Sequence, residues 1–194
     1  MTRNNSKLLS HTRAPMLTAF SLMVVAMNVL LINQNQRLKA NSSRARQALQ
    51  VSAGTTVPSL RGKDIDANDI VLSYGSDNRK TLLMVFSPKC SACKENMRNW
   101  AAIQARLDPS SYRLAAVSLS ADDLREYLHS YNLVGIPVFA EIDPSDRVNY
   151  NLVMTPQTIL VDSTGKVEKV WTGVLTGKNI EDLERTLETS ITTN

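Results

Sequence analysis

Residues 81–87 (TLLMVFS) form a short, nearly continuous apolar run, and Cys90-Ser91-Ala92-Cys93 follows almost at once. A run of this length with no polar alternation suits a strand buried on both faces. Such a strand needs cover above and below, so the chain around it must supply two further layers. Behind the cysteines, Cys93, Met97, Trp100, Ile103 and Leu107 recur at helical spacing, and Asp108-Pro109 closes that helix. The strand therefore runs directly into a helix, with the cysteine pair at the junction.

The rest of the C-terminal part repeats the alternation. Residues 112–119 read as a second buried strand. Ser120 opens a helix with Asp123 three positions on, a capping-box variant, and Leu124, Tyr127, Leu128 and Tyr131 form its apolar face. Residues 138–142 and 157–161 read as strands, and residues 162–166 (DSTGK) as a hairpin turn into a strand at 167–171. Ile180, Leu183 and Leu187 mark a last amphipathic helix. The order predicts an α/β sandwich with helices on both faces.

Charge divides the chain differently. Of its 22 basic residues, seven lie in residues 1–50, where there is no acid at all. The remainder holds 15 basic and 18 acidic residues, so the chain's net charge of +4 does not describe a basic folded surface. Nucleic acid is therefore not expected as a partner. Between Arg13 and Arg37 no charge occurs, and residues 14–32 are mostly apolar, with Asn28 the least comfortable member. About 20 such residues span a bilayer as a helix. A cleaved signal has a shorter apolar region and a small-x-small site, for which residues 38–40 offer only a weak candidate. The expected organisation is a tail at 1–13, a single transmembrane anchor at 14–36, a polar linker at 37–56 and a folded domain at 57–194. Basic residues flank the anchor on both sides, so charge alone does not orient it.

The chemistry points to the two cysteines, the only ones in the chain. A helix start offers unpaired N–H groups and the positive end of the helix dipole, both of which favour a thiolate. Cys90 is thus expected to be the low-pKa nucleophile, with Ser87 or Ser91 capping the helix and Lys89 adding positive charge. Cys93, one turn inward, is placed to resolve a mixed disulfide. A zinc site needs four ligands, and the two histidines, His11 and His129, lie far off in sequence, so no metal is expected. A disulfide closing so short a loop stabilises little. Redox exchange remains as the reading.

These residues resemble the thioredoxin superfamily. Met154-Thr155-Pro156 ahead of the strand at 157–161 matches the family's cis-proline, which lies beside the cysteines and whose preceding residue offers backbone hydrogen bonds to a bound peptide. The resemblance thus implies substrate-binding roles for Thr155 and Pro156. Cys93 and Pro156 are 63 positions apart, longer than in plain thioredoxins. The excess, residues 138–153, looks like the added strand and helix of the membrane-anchored TlpA/ResA-like branch, the redoxin or AhpC/TSA-like group. Residues 57–60 and 70–73 are similar to that branch's extra N-terminal hairpin. The implied fold is a three-layer α/β/α sandwich with an inserted strand and helix and that hairpin, preceded by one transmembrane helix.

The resemblance further implies a thiol–disulfide oxidoreductase whose only redox group is the Cys90–Cys93 disulfide. Its partners would be protein thiols or disulfides and a membrane-embedded electron donor. Its catalytic domain would lie on the periplasmic or extracytoplasmic side, serving protein or cytochrome maturation. Lys89, Ala92, Met84 and Asn96 depart from the family's Trp, Pro, Asp and Glu at those positions, which leaves no acid–base helper for Cys93. Two other classes compete. Peroxiredoxins share the fold, but their proline lies about seven residues before the reactive cysteine in family terms, whereas Pro88 is two before Cys90. A metal-delivery or docking module would not turn over; copper factors of this fold use CxxxC with a downstream His.

Overall fold

The computed structural model describes residues 13–131, 133 and 135–190, with the side chains of the first helix described from 19 to 42. The expected tail, residues 1–13, lies outside them but for Arg13. The chain divides into two compact units, Met1–Ala45 and Arg46–Asn194.

The first unit is built on one long helix, α1 (Arg13–Ala48). The large apolar side chains from Phe20 to Ile32 are exposed along it. Asn28, the one polar intruder, donates its amide to the Val24 carbonyl at 2.8 Å, one turn back, which partly satisfies it. Among the described residues no helix is long and apolar enough to cross a membrane. The first five positions of the expected anchor, residues 14–18, lie outside the described side chains.

In the second unit a five-stranded sheet has the order β5-β4-β3-β7-β8. Its strands are β3 (Lys80–Phe86), β4 (Tyr112–Ser118), β5 (Val138–Phe139), β7 (Gln157–Val161) and β8 (Val167–Thr172). The apolar run that dominates the sequence is β3, the middle strand. It pairs parallel to β4, with Leu83 opposite Ala115, and antiparallel to β7, with Leu83 opposite Ile159. Alternate residues then feed two cores. Leu82, Met84 and Phe86 face one side, where α2 (Ser91–Arg106), α3 (Leu124–Ser130) and α5 (Lys178–Leu187) bring Trp100, Leu128 and Leu183. Leu83 and Val85 face the other. Each large aliphatic side chain removed from water here contributes about 1.5–3 kcal/mol.

The second face is covered mainly by strands, among them the expected N-terminal hairpin, with its strands at Leu60–Lys63 and Asp69–Leu72. Its cover is mainly a small antiparallel sheet, β2-β1-β6, formed by β1 (Leu60–Lys63), β2 (Asp69–Leu72) and β6 (Glu141–Ile142). The six-residue helix α4 (Pro144–Asn149) and the chain after it add Tyr150 and Leu152. Helices do lie on both faces, but one carries three and the other only this short one. The expected single strand at 138–142 is in fact two. Val138–Phe139 joins the central sheet, whereas Glu141–Ile142 pairs with β1. That second pairing needs Gly62, because a Cβ there would stand 2.0 Å from the Glu141 carbonyl oxygen.

The folded body begins at Val51, which is 4% exposed, ahead of the expected boundary at 57. Gly54 N–H donates to the Val167 carbonyl and Val57 N–H to that of Gly165, which ties this segment to the β7–β8 turn. In that turn Asp162 accepts from the N–H groups of Thr164 and Lys166, and Gly165 takes φ +88°. The capping box expected at Ser120 does not form. The Ser120 hydroxyl bonds Asp122, and α3 starts later, after Asp123 at φ +52°.

Candidate active site

The cysteine pair stands where β3 hands over to α2. The Cys90 N–H donates to the Ser87 carbonyl at 3.0 Å, which turns the chain sharply after the strand. Cys90 is itself the N-cap of α2, in place of the expected Ser87 or Ser91. Its backbone is extended (φ −90°, ψ 114°), and its Sγ accepts the Cys93 N–H at 3.2 Å. The sulfur thus occupies the position where a serine or aspartate oxygen normally satisfies a helix's first donors. Cys93 lies one turn in and is fully buried, while Cys90 is partly exposed. Both are free thiols.

Their proton affinities separate accordingly. Burial pulls the Cys90 thiol upward, but hydrogen bonds outweigh it: from the Cys93 and Thr155 side chains, and from the backbone N–H groups of Cys93 and Ala92. Cys90 therefore ionises below its ordinary value. Burial pushes the Cys93 thiol up to about 12, and its hydrogen bond with Cys90 adds to this. One sulfur is thus disposed to ionise and the other to keep its proton.

Lys89, expected to add positive charge beside Cys90, pairs its ammonium with Asp122 Oδ2 at 2.6 Å, with both side chains well exposed. Thr155 and Pro156 do come to the cysteines. Their peptide bond is cis, and the Cys90 thiol points at the Thr155 carbonyl oxygen, 3.8 Å away. Pro156 is buried, and its carbonyl accepts the Gly173 N–H, which anchors it to the end of β8.

No protein-family model matches this sequence, and no curated protein matches it. Solved structures match the fold. The thioredoxin domain of a thiol-disulfide oxidoreductase from Bacteroides vulgatus aligns with a TM-score of 0.53 at 18% identity, covering 71% of this chain and 99% of that one. The fold is thioredoxin-like. A peroxiredoxin-like protein from Aquifex aeolicus aligns with a TM-score of 0.57 at 14% identity, over 72% of this chain and 87% of that one. A putative thiol:disulfide interchange protein DsbE from Chlorobium tepidum aligns at 0.54 and 19% identity, over 73% and 99%.

Around the cysteine pair the structure adds contacts that the sequence did not show. Asn96, buried on α2, accepts the Leu175 N–H at 2.9 Å, while Asn99 donates to the Leu175 carbonyl at 2.9 Å. Together they clamp the loop after β8 onto the helix that carries the cysteines. Trp100 Nε1–H donates to Thr158 Oγ1 at 3.0 Å, joining α2 to β7 through the core. Tyr127 had read as ordinary packing. Its ring stacks on Phe86 with centroids 5.6 Å apart, yet its hydroxyl is buried without a hydrogen-bond partner. Leaving such a group unsatisfied costs about 1–3 kcal/mol. Among the described residues no cluster of His, Cys, Asp and Glu is placed to hold a metal ion. His11 lies outside those residues.

Proposed function

We propose that this chain is a thiol–disulfide oxidoreductase that reduces protein disulfides through Cys90 and Cys93, with no further cofactor. One observation carries the reading. The Cys90 sulfur caps α2 and ionises readily, while Cys93 sits buried directly behind it and holds its proton. Cys90 thiolate attacks a partner disulfide and forms a mixed disulfide, releasing the partner's other sulfur as a thiolate. Cys93 loses its proton and attacks Cys90 Sγ, and the partner leaves as its second thiolate, which is then protonated. The pair is left oxidised and the partner reduced. Thr155 and Pro156, beside Cys90, receive the partner backbone. Names of the matched structures, an oxidoreductase and an interchange protein, support the same chemistry.

The chain is further proposed to be membrane-anchored through residues 14–36. Exposed apolar side chains from Phe20 to Ile32 support this, and the apolar sequence continues back to Ala14. The domain then works on the extracytoplasmic side, in protein or cytochrome maturation. That setting is oxidising, so the pair draws electrons from a membrane-embedded donor. The test is insulin reduction by the full chain in detergent. Turnover that vanishes in Cys90→Ser is expected; turnover that survives in Cys90→Ser, or is missing from the wild type, overturns the reading.

A further inference from the structure

A partner chain laid on Thr155 and Pro156 meets Cys90 only if that turn is held at a fixed height over the sulfur. The Thr155 carbonyl oxygen stands 3.8 Å from Cys90 Sγ. Strand β7 begins at Gln157, directly after Pro156, and its first pair with β8 is Gln157 opposite Thr172. Whatever fixes this pair therefore fixes the turn. From the α2 side the hold is already described. Asn96 and Asn99 grip Leu175, and the Gly173 N–H, just after Thr172, donates to the Pro156 carbonyl at 2.9 Å.

The other face holds the same pair through residues 49–51. Gln157 alternates with Ile159 and Val161, so its side chain enters the core on the second face, where it is fully buried. A buried amide is costly unless it finds a partner. The Gln157 Nε2–H donates to the Leu49 carbonyl at 3.5 Å. Across the ladder, the Thr172 hydroxyl donates to Gln50 Oε1. Val51 follows, buried in that same core, and pins both contacts. The chain then runs back beside β8. Gly54 N–H donates to the Val167 carbonyl at 2.7 Å, Val167 N–H to that of Thr55 at 2.8 Å, and Val57 N–H to that of Gly165 at 2.8 Å. Helix α1 ends at Ala48, so the two residues that follow it are the ones that brace the Gln157–Thr172 pair.

We propose that Leu49 and Gln50 are positioning residues for partner binding: they brace the first pair of the β7–β8 ladder and so set the Thr155 backbone over Cys90. The proposal rests on the redox reading above and on the place it gives the partner at Thr155 and Pro156. Neither residue takes part in the sulfur chemistry. The stretch expected as a slack linker belongs, at these positions, to the partner site.

The test is insulin reduction by the full chain in detergent, with a small dithiol in excess as the electron source. Gln50→Ala removes the acceptor of the Thr172 hydroxyl. KM for insulin should rise about fivefold, the size of one neutral hydrogen bond, with kcat near the wild-type value. Alkylation of Cys90 by iodoacetamide should stay within about twofold, because a small reagent needs no backbone to dock on. Thr172→Val should raise KM alike, and the double variant no further, since both remove one contact. Gln50→Glu keeps an acceptor and should keep the wild-type KM. A KM within about twofold of wild type in both Gln50→Ala and Thr172→Val overturns the proposal and leaves the redox pair intact. So does a change in Cys90 alkylation that matches the change in KM, or a raised KM that Gln50→Glu does not restore. A wild type that reduces no insulin removes the redox reading, and this proposal with it.

Discussion

The two faces of the central sheet treat their buried ionisable groups in opposite ways. On the face covered by β1, β2 and α4, the buried carboxylate and phenols are tied off. Asp146, fully buried, receives the Arg61 backbone N–H at 2.9 Å, and its two oxygens take the Arg61 guanidinium at 3.0 Å each. Tyr150 donates to the Pro58 carbonyl and meets the Tyr74 hydroxyl at 2.9 Å. Thr81 Oγ1, Gln157 Oε1 and Arg113 Nε go without a hydrogen bond there, the last standing 3.9 Å from Asp77 Oδ1. On the face that carries α2 and α3, burial makes Cys93 hold its proton, and the Tyr127 hydroxyl has no hydrogen-bond partner. The first arrangement serves stability. The second leaves buried polar groups unmet, at a cost in stability.

That contrast can be broken or sharpened by experiment. The largest effect should be in thiol labelling. At about pH 8, iodoacetamide should modify Cys90 at least about a thousandfold faster than Cys93, since only Cys90 has an appreciable thiolate fraction. Comparable rates at the two sites would erase the division of labour. Next is Asp146→Ala, which strands the Arg61 backbone donor and guanidinium. Its thermal midpoint should fall by about 5 °C or more, with Cys90 labelling unchanged. A change in labelling would mean that the two faces are not separable.

Stability of the reduced protein should also depend on alkaline pH. Cys93 has a folded pKa raised above its unfolded value, so its contribution is complete below the ordinary 9.0 and is lost as pH climbs toward about 12. Cys90 works in the opposite sense: its contribution is present above the ordinary value and is lost as pH falls through the lower folded one. Thermal unfolding between about pH 9 and 12 should therefore steepen in the wild type and flatten in part in Cys93→Ala; identical curves would refute this. Part remains because buried Tyr74, Tyr127 and Tyr150 are also raised. Tyr150→Phe should cost about 1 kcal/mol in denaturant unfolding and leave turnover alone. The smallest effect should be that of Lys89→Ala. With its charge shared with Asp122 in solvent, Cys90 labelling should change by less than about twofold.

How much of this was readable in advance follows from how local each signal is. The strand β3, the helix α2 and the hairpin turn at Asp162 are each encoded by neighbours in the chain, and the structure has them close to where spacing put them. Cys90 and Cys93 were legible for the same reason. Residues 138–142 were not, because their two halves serve different sheets and two residues carry no period. The capping box at Ser120 failed because Asp122 offered the hydroxyl a nearer partner. The cap on α2 was assigned to a serine because sequence habits favour oxygen, yet geometry gave it to sulfur. Tyr127 sat correctly on the apolar face of its helix, but no spacing rule says whether a buried hydroxyl finds a partner.

A sulfur cap has a consequence for the helix itself. Once Cys90 is joined to Cys93, its sulfur is neutral and divalent, and it accepts a hydrogen bond far more weakly than a thiolate does. If the pair is oxidised, the first turn of α2 loses most of this acceptor, and the Cys93 N–H is left with the Cys90 carbonyl, 3.1 Å away. The Cys93 amide proton becomes a gauge of the redox state. Its exchange with deuterium should quicken in the disulfide form and slow in the dithiol, while amides deeper in α2, such as that of Trp100, keep the same pace in both.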